Sequence, residues 1–379
     1  MYYQLTEEQS ALRERIRQVA EEKVAPRAAE LDRTGEFPWD LKEEFSKMGI
    51  LGSQVLPEYG GSLRSQVEPC IVVEEIARCC AASSTIPQVQ GLGWLPIQIG
   101  ASEEQKKKYG PKVASGEALI AFALTEPQAG SDAAAMETRA VRDGDKWVLN
   151  GRKHFILNGP ICDLLVVFAM TEPEKGTRGI SAFILDTKTP GFSVTRRESK
   201  MGIRASPTGQ LAFDDVDVPA ENLIGEEGRG FSYAMQTLDH SRPVVAGQAV
   251  GIAQGALDCA IEYAKHREQF GQPVAAFQGL SWMLADAAAQ IEAARALTYQ
   301  AASMLDSKDP RRSYMSACAK MVASDVAMRV TTDCVQIAGG YGYMTDMPLE
   351  RMMRDAKITQ IYEGTNQIQK LVISRELLK

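Results

Sequence analysis

Near the C-terminal end, the run Ile361-Tyr362-Glu363-Gly364-Thr365-Asn366-Gln367 sets one carboxylate between bulky apolar neighbours and a glycine. Glycine accepts backbone angles that other residues resist, so the chain can turn sharply there and approach a ligand closely. A carboxylate kept beside apolar side chains has its charged form disfavoured, which raises its pKa toward the range of a general base. Glu363 is therefore a candidate proton acceptor, although the run by itself is also an ordinary helix-to-loop junction.

Five further segments carry residues suited to ligand chemistry. Ala123-Leu124-Thr125-Glu126-Pro127-Gln128-Ala129-Gly130-Ser131-Asp132 leaves a predicted strand with hydroxyls at Thr125 and Ser131 and a glycine for close approach, a loop able to cup a polar ring or phosphate. Lys153-His154-Phe155-Ile156-Leu157-Asn158-Gly159 starts as a strand and ends in an Asn-Gly hairpin turn, with Phe155 free to pack on a planar group. In Leu238-Asp239-His240-Ser241-Arg242, Asp239 and Arg242 share a helix face, as an ion pair or a ligand site. Arg267-Glu268-Gln269-Phe270-Gly271-Gln272-Pro273 ends a helix, with Gly271 as its expected C-cap; Arg267 suits either the helix dipole or a pyrophosphate. Gln336-Ile337-Ala338-Gly339-Gly340-Tyr341-Gly342-Tyr343 places three glycines after a helix.

The elements that must position these residues fall into three blocks. Residues 1–118 read as helical, with Thr6 as an N-cap, Pro26 as a stop, further helices over roughly 38–48, 66–82 and 102–115, and a capping box at Ser102-Glu103-Glu104-Gln105. Residues 119–228 hold short strand-like runs at 119–124, 146–150, 164–168, 182–185 and 209–213, separated by turns, a β-barrel or sandwich in character. Residues 229–379 return to long Ala-rich helices over roughly 231–267, 277–306, 311–337 and from about 365, a four-helix bundle. The predicted class is α+β multidomain: an α-helical N-terminal domain, a β middle domain and a C-terminal four-helix bundle.

Composition excludes several functions. The 379 residues are 45% hydrophobic and 24% charged, with net charge −7 and no basic stripe for nucleic acid. No apolar run reaches the ~18 residues of a membrane span. Met1–Glu8 lacks a signal pattern, so the expected location is cytoplasmic, a mature organellar form remaining compatible. The 7 cysteines form no Cys-x-x-Cys pair and only 3 histidines exist, so metal sites and a Ser-His-Asp triad have little material. No Rossmann or Walker motif is present.

The order and spacing of the segments resemble the acyl-CoA dehydrogenase family from Leu5 to Leu378, closest to its short-chain (butyryl-type) branch. Thr125-Glu126-Pro127…Gly130-Ser131-Asp132 matches one family signature. Gln336…Gly339-Gly340-Tyr341-Gly342, through Arg354-Asp355-Ala356-Lys357-Ile358, into Ile361-Tyr362-Glu363-Gly364-Thr365 matches the second. The resemblance implies FAD, a homotetramer with each flavin at a subunit interface, an acyl-CoA substrate and an electron-transfer flavoprotein as acceptor. It implies that Phe122, Leu124, Thr125, Gly130, Ser131, Phe155, Ile156 and Leu157 line the flavin. Arg267, Phe270, Gln278, Gln336, Gly339 and Gly340 would reach a neighbouring subunit's FAD, while Thr365 and Gln367 hold their own. Ser131, Asp239, Ser241, Arg242, Tyr362 and Gly364 would meet substrate. Glu363 would take the α-proton while the β-carbon gives a hydride to flavin N5. Some branches carry the base just before the arginine of the 238–242 segment; here that residue is Ser241, which leaves Glu363.

The chain departs from the family in three places. Phe155-Ile156-Leu157 replaces a usual Trp-Ile-Thr, so Leu157 cannot donate a hydrogen bond near flavin N5. Gln128 replaces a glycine. The acyl-pocket stretch carries Pro87, which should distort its helix, with Gln88, Gln90 and Trp94; these either shape the pocket for a polar or cyclic group, or leave Trp94 in the core and the glutamines in solvent. Two alternatives stay open: a cyclic, dicarboxylic or carrier-protein-bound acyl substrate, and a flavin oxidase or monooxygenase on the same scaffold.

Overall fold

The computed structural model describes residues 4–378, so the first three residues of the Met1–Glu8 stretch lie outside the described residues. Six helices come first: α1 (Glu7–Val19), α2 (Ala28–Thr34), α3 (Trp39–Lys47), α4 (Val67–Cys79), α5 (Ala81–Gly100) and α6 (Glu103–Ser115). Thr6 and Gln9 close a capping box on α1, and Ser102 and Gln105 do the same on α6, each pair satisfying two otherwise orphaned N–H groups. Pro26 does not stop the first helix. The chain stays wound through a widened turn at Ala20–Val24 and a tight one at Ala25–Arg27 before α2. Pro26 falls in the first turn of that tight segment, where a missing N–H costs little.

Helix α5 is longer than its prolines allow for. It runs unbroken over Ala81–Gly100 with Pro87 and Pro96 inside. An interior proline costs about 3 kcal/mol, because it leaves the carbonyl four residues back without its N–H partner. Nearly all of α5 is buried, and Gln54 donates its amide to the Pro87 carbonyl at 3.2 Å. Gln54 fits there because residue 91 is glycine: a Cβ at Gly91 would lie 1.9 Å from its nitrogen.

The strands are β1 (Ile120–Ala123), β2 (Arg139–Asp143), β3 (Lys146–Leu157), β4 (Leu164–Met170), β5 (Ile180–Asp186), β6 (Phe192–Arg197) and β7 (Thr208–Pro219). They form one mixed sheet in the order β1-β4-β2-β3-β7-β6, with β5 paired to β4. Alternate residues of β4 serve two cores: Val166 and Phe168 face a cluster with Trp94 and Ile97 of α5, while Leu165 and Val167 face one with Leu149 and Phe213. The Asn158-Gly159 turn does not make a hairpin, because β3 pairs with β2 and β7 while β4 pairs with β1, β2 and β5. Strands β2 and β6 escape the sequence reading because they are mostly solvent-facing and charged, so no apolar alternation marks them.

The C-terminal helices are α7 (Gly230–His266), α8 (Gln278–Asp306), α9 (Arg312–Ala338), α10 (Leu349–Thr359) and α11 (Asn366–Leu377), with the two-residue strands β8 (Glu268–Gln269) and β9 (Gln272–Pro273) after α7. Gly271 is not a helix cap. With Phe270 it forms the turn of the β8–β9 hairpin, both at positive φ (53° and 75°). By length and composition α7 could cross a membrane, yet 78% of its most apolar stretch is buried. It is the axis of the largest core, a buried cluster that includes Ala253 of α7 with Ile76 of α4, Ile291 of α8, Ala323 of α9 and Met352 of α10. All seven cysteines are free, and four of them are buried.

Candidate active site

Glu363 sits in the turn between α10 and α11. Its φ is 53° and that of Gly364 is 91°, so two consecutive residues are left-handed and the chain reverses within them. Several elements hold the turn. Lys320 of α9 donates to the Gly364 carbonyl at 2.8 Å and to Asn366 Oδ1 at 3.0 Å. Gln369 of α11 donates to the same carbonyl at 2.8 Å and to that of Glu363 at 3.3 Å. Thr365 caps α11 by accepting from the Ile368 N–H at 3.3 Å. From the β domain, the Ile203 N–H donates to Asp355 of α10 at 2.5 Å, fixing the helix that leads into the turn. Burial pushes the Asp355 carboxyl up to about 6.

The carboxylate of Glu363 points between α5 and α7. Ser241 of α7 donates its hydroxyl to one oxygen, and Gln88 of α5 donates to the other at 3.4 Å. Burial raises the Glu363 pKa above the ordinary carboxylate value; Ser241, Lys320, Gln88 and Arg242 oppose that rise. Tyr362 donates to Gln248, itself fully buried on α7 and held by Ser84 at 2.9 Å. Arg242 is 4% exposed and pairs with Asp239 at 2.7 Å, while its Nε has no partner among the described residues. Thus Glu363, Tyr362, Gly364, Ser241, Arg242 and Asp239 lie together between α5, α7 and the turn before α11.

A second cluster lies where β1 leaves the sheet. Thr125 accepts from the His154 N–H at 2.9 Å, which sets the Leu124-Thr125 exit beside Phe155, Ile156 and Leu157 at the end of β3. Beneath it is a buried ion pair: Lys153, with no exposed side-chain surface, reaches Glu126 at 2.8 Å and the Leu124 carbonyl at 3.0 Å. Glu126 also accepts from the Glu137 and Thr138 N–H groups at 2.6 and 3.1 Å. Burial lowers Lys153 to about 8, while Lys153 and the other donors hold Glu126 below the ordinary value, so both stay ionised at neutral pH. Phe122 packs on Phe168 at 4.9 Å. Phe155 is 57% exposed and stacks on His154 at 3.8 Å between ring centres, leaving its other face open. Gly130 and Ser131 are exposed at the loop tip.

The third cluster is elsewhere. Arg267, Gly339 and Gly340 line one open cavity of about 410 Å³ with Tyr263 and Tyr341. Arg267 lies over the Tyr341 ring at 5.4 Å. Gln336 is exposed and its carbonyl accepts from Gly339, while Phe270 is 94% exposed on its hairpin, near Phe277 and Gln278. Arg267 follows the C-terminus of α7 and Ser241 is near its N-terminus, 26 residues back. At 1.5 Å per residue that is roughly 39 Å along the helix axis.

Each cluster carries residue types suited to a flavin ligand. A Cβ at Gly130, Gly339 or Gly340 would meet nothing within 4 Å, so each offers open backbone; an arginine stands at one cluster and an aromatic face at another.

Three family models cover nearly the whole chain: acyl-CoA dehydrogenase N-terminal domain over residues 6–117, middle domain over 121–216 and C-terminal domain over 228–378. The chain belongs to the acyl-CoA dehydrogenase family. It is an oxidoreductase and a flavoprotein. It is 49% identical over 375 residues to a cyclohex-1-ene-1-carbonyl-CoA dehydrogenase of Geobacter metallireducens, covering 99% of each chain. Butyryl-CoA dehydrogenase of Megasphaera elsdenii superposes with a TM-score of 0.97 at 46% identity over 100% of each chain. A chain solved in work on the electron transferring flavoprotein of Acidaminococcus fermentans gives 0.98 at 47%, also over 100% of each.

The acyl-pocket residues divide. Trp94 is fully buried and bonds Gln98, a core residue. Gln90 is also fully buried; it donates to the Val113 and Ala118 carbonyls and accepts from the Ile120 N–H, tying α5 to β1. Neither glutamine faces solvent. Only Gln88 turns toward Glu363. The sequence reading missed Lys320, Gln248, Gln369 and the Lys153–Glu126 pair. One signal was available: a lone lysine within Ala317–Ala323 of a buried helix needs a partner.

Proposed function

We propose that the chain is an FAD-dependent acyl-CoA dehydrogenase that converts an acyl thioester to its 2,3-enoyl form, with Glu363 as the base. The observation that carries this reading is the buried Glu363 carboxylate, held by Ser241 and Gln88 on a left-handed turn, its pKa raised by burial. Bound FAD supplies the two-electron acceptor for the β-hydride. The chain's own residues do the rest. Ser131, Asp239 and Arg242 receive the CoA portion. The Glu363 N–H and the turn at Gly364 present the thioester carbonyl, which makes the α-proton acidic. Glu363 removes that proton, and entry of an apolar acyl group expels water and raises its pKa further. Phe122, Leu124, Thr125, Gly130, Phe155, Ile156 and Leu157 shape the ring site, with Thr365 and Gln367 in the same subunit. The distance along α7 supports giving Arg267, Phe270, Gln278, Gln336, Gly339 and Gly340 to a neighbouring copy's FAD, within a homotetramer. The Acidaminococcus neighbour supports an electron-transfer flavoprotein as acceptor.

A second reading keeps the mechanism and takes a cyclic acyl group. Gln88 favours it, because its buried Oε1 has no partner among the described residues, and so does the Geobacter relative. Anaerobic flavin bleaching against butyryl-CoA, cyclic, branched and dicarboxylic CoA esters and a carrier-bound ester separates these. Fast bleaching by butyryl-CoA is expected; bleaching by cyclic esters alone selects the second reading, and bleaching by none removes both. Air then reports on oxidase behaviour: slow reoxidation of product-bound flavin is expected.

A further inference from the structure

We propose that Lys320 is the positioning residue for Glu363: it pins the turn that carries the carboxylate and supplies the positive charge that keeps the carboxylate ionised. This rests on the reading of Glu363 as base.

Lys320 has no exposed surface and sits on the face of α9 that packs against the turn, among Ser316, Ala317, Ala323 and Ser324. A lysine is rarely buried unless its ammonium is fully used. Here the two acceptors are the Gly364 carbonyl and Asn366 Oδ1, at 2.8 and 3.0 Å, and both are uncharged. Asn366 is itself fixed, donating to Ser324 at 2.9 Å and Asp325 at 2.8 Å. Lys320 therefore holds the turn on the C-terminal side of Glu363 at two points, one backbone carbonyl and one side-chain amide oxygen. Glutamate does not favour a φ of 53°, so such a turn persists only where its surroundings over-determine it.

The charges around the pair make the electrostatic case. Helix α7 presents Arg242 with Asp239, which largely cancel each other at 2.7 Å. Helix α9 adds Asp325, engaged by Asn366 and Gln360. Helices α5 and α11 present Gln88 and Gln369, and the turn adds the Tyr362 hydroxyl, all uncharged. Lys320 is thus the cation whose field reaches Glu363 with least cancellation. Burial lowers Lys320 to about 7 while Glu363 raises it, and Lys320 in turn lowers Glu363. Each member sustains the other's charge.

The test compares wild type with Lys320→Met, Lys320→Gln and Lys320→Arg. The readouts are flavin content, thermal midpoint and the pH dependence of anaerobic flavin reduction by butyryl-CoA. Loss of the charge is expected to move the base's apparent pKa up by about one pH unit, with roughly tenfold slower reduction on the acid side. Lys320→Arg should stay near wild type. Should Lys320→Met fail to fold, Lys320→Gln keeps amide donors toward Gly364 and reports the charge alone. A purely structural lysine would lower the midpoint without moving the pH profile, and that result overturns the proposal; so does an arginine variant shifted as far as the neutral ones. Glu363→Gln is run alongside. If it still reduces flavin at near the wild-type rate, the base assignment itself has failed, a different outcome from an unmoved profile.

Discussion

The two ends of α7 are built differently. Near its N-terminus, Ser241 and Arg242 are buried, and Glu363, Lys320, Gln88, Gln248 and Gln369 interlock around them. Past its C-terminus, Arg267, Phe270, Gly339 and Gly340 border open space, and Phe270 is 94% exposed. The first end is packed within one chain: the carboxylate that must abstract a proton is held by Ser241 and Gln88, while Arg242 Nε and Gln88 Oε1 have no partner among the described residues. The second end has ligand-binding residue types without the enclosure that makes them useful. A large exposed aromatic beside an open cavity is what a surface awaiting another molecule looks like.

Variants should break this contrast in a graded way. Glu363→Gln is expected to cost about a hundred- to ten-thousand-fold in flavin reduction rate with FAD still bound, measured by stopped-flow absorbance. Lys153→Met, under the ring cluster, leaves Glu126 buried and unpaired; denaturant unfolding should show a loss of about 3–5 kcal/mol. Arg267→Ala should do the reverse. Fold stability should move by no more than about 0.5 kcal/mol, while FAD retention falls roughly tenfold or more, read by fluorescence on dilution. The smallest effect belongs to Ser241→Ala. Its hydroxyl stabilises the ionised carboxylate, so its loss raises the Glu363 pKa, by less than about one pH unit. Because the base must be unprotonated, wild-type reduction should climb as pH rises through an inflection above the ordinary carboxylate range. The Ser241→Ala curve should lie to the alkaline side of it.

What the sequence made legible follows local physics. The capping boxes at Thr6 and Ser102, the Ala-rich bundle helices and the five apolar strands were readable because each repeats at its own period or carries its own punctuation. Asp239 and Arg242 were readable as a pair because they are three residues apart. Residues that depend on distant packing were not. Helix α5 was obscured by the two prolines inside it, and β6 by its charged outward face. Gly271 looked like a cap because a glycine after a helix fits a hairpin turn equally well. Lys320 lies 43 positions before Glu363, and only the packing of α9 on the turn brings them together.

In the proposed assembly the two ends of α7 in one chain serve different active sites. The most direct measurement is co-expression of Glu363→Gln subunits with Arg267→Glu subunits, each inactive alone, followed by assay of the purified mixed oligomer. Sites that draw Glu363 from one chain and Arg267 from the other would be intact, so flavin reduction by butyryl-CoA should reappear in a fraction of sites. A mixed oligomer as inactive as its parents would mean that each chain builds its site alone, and would contradict this sharing of sites.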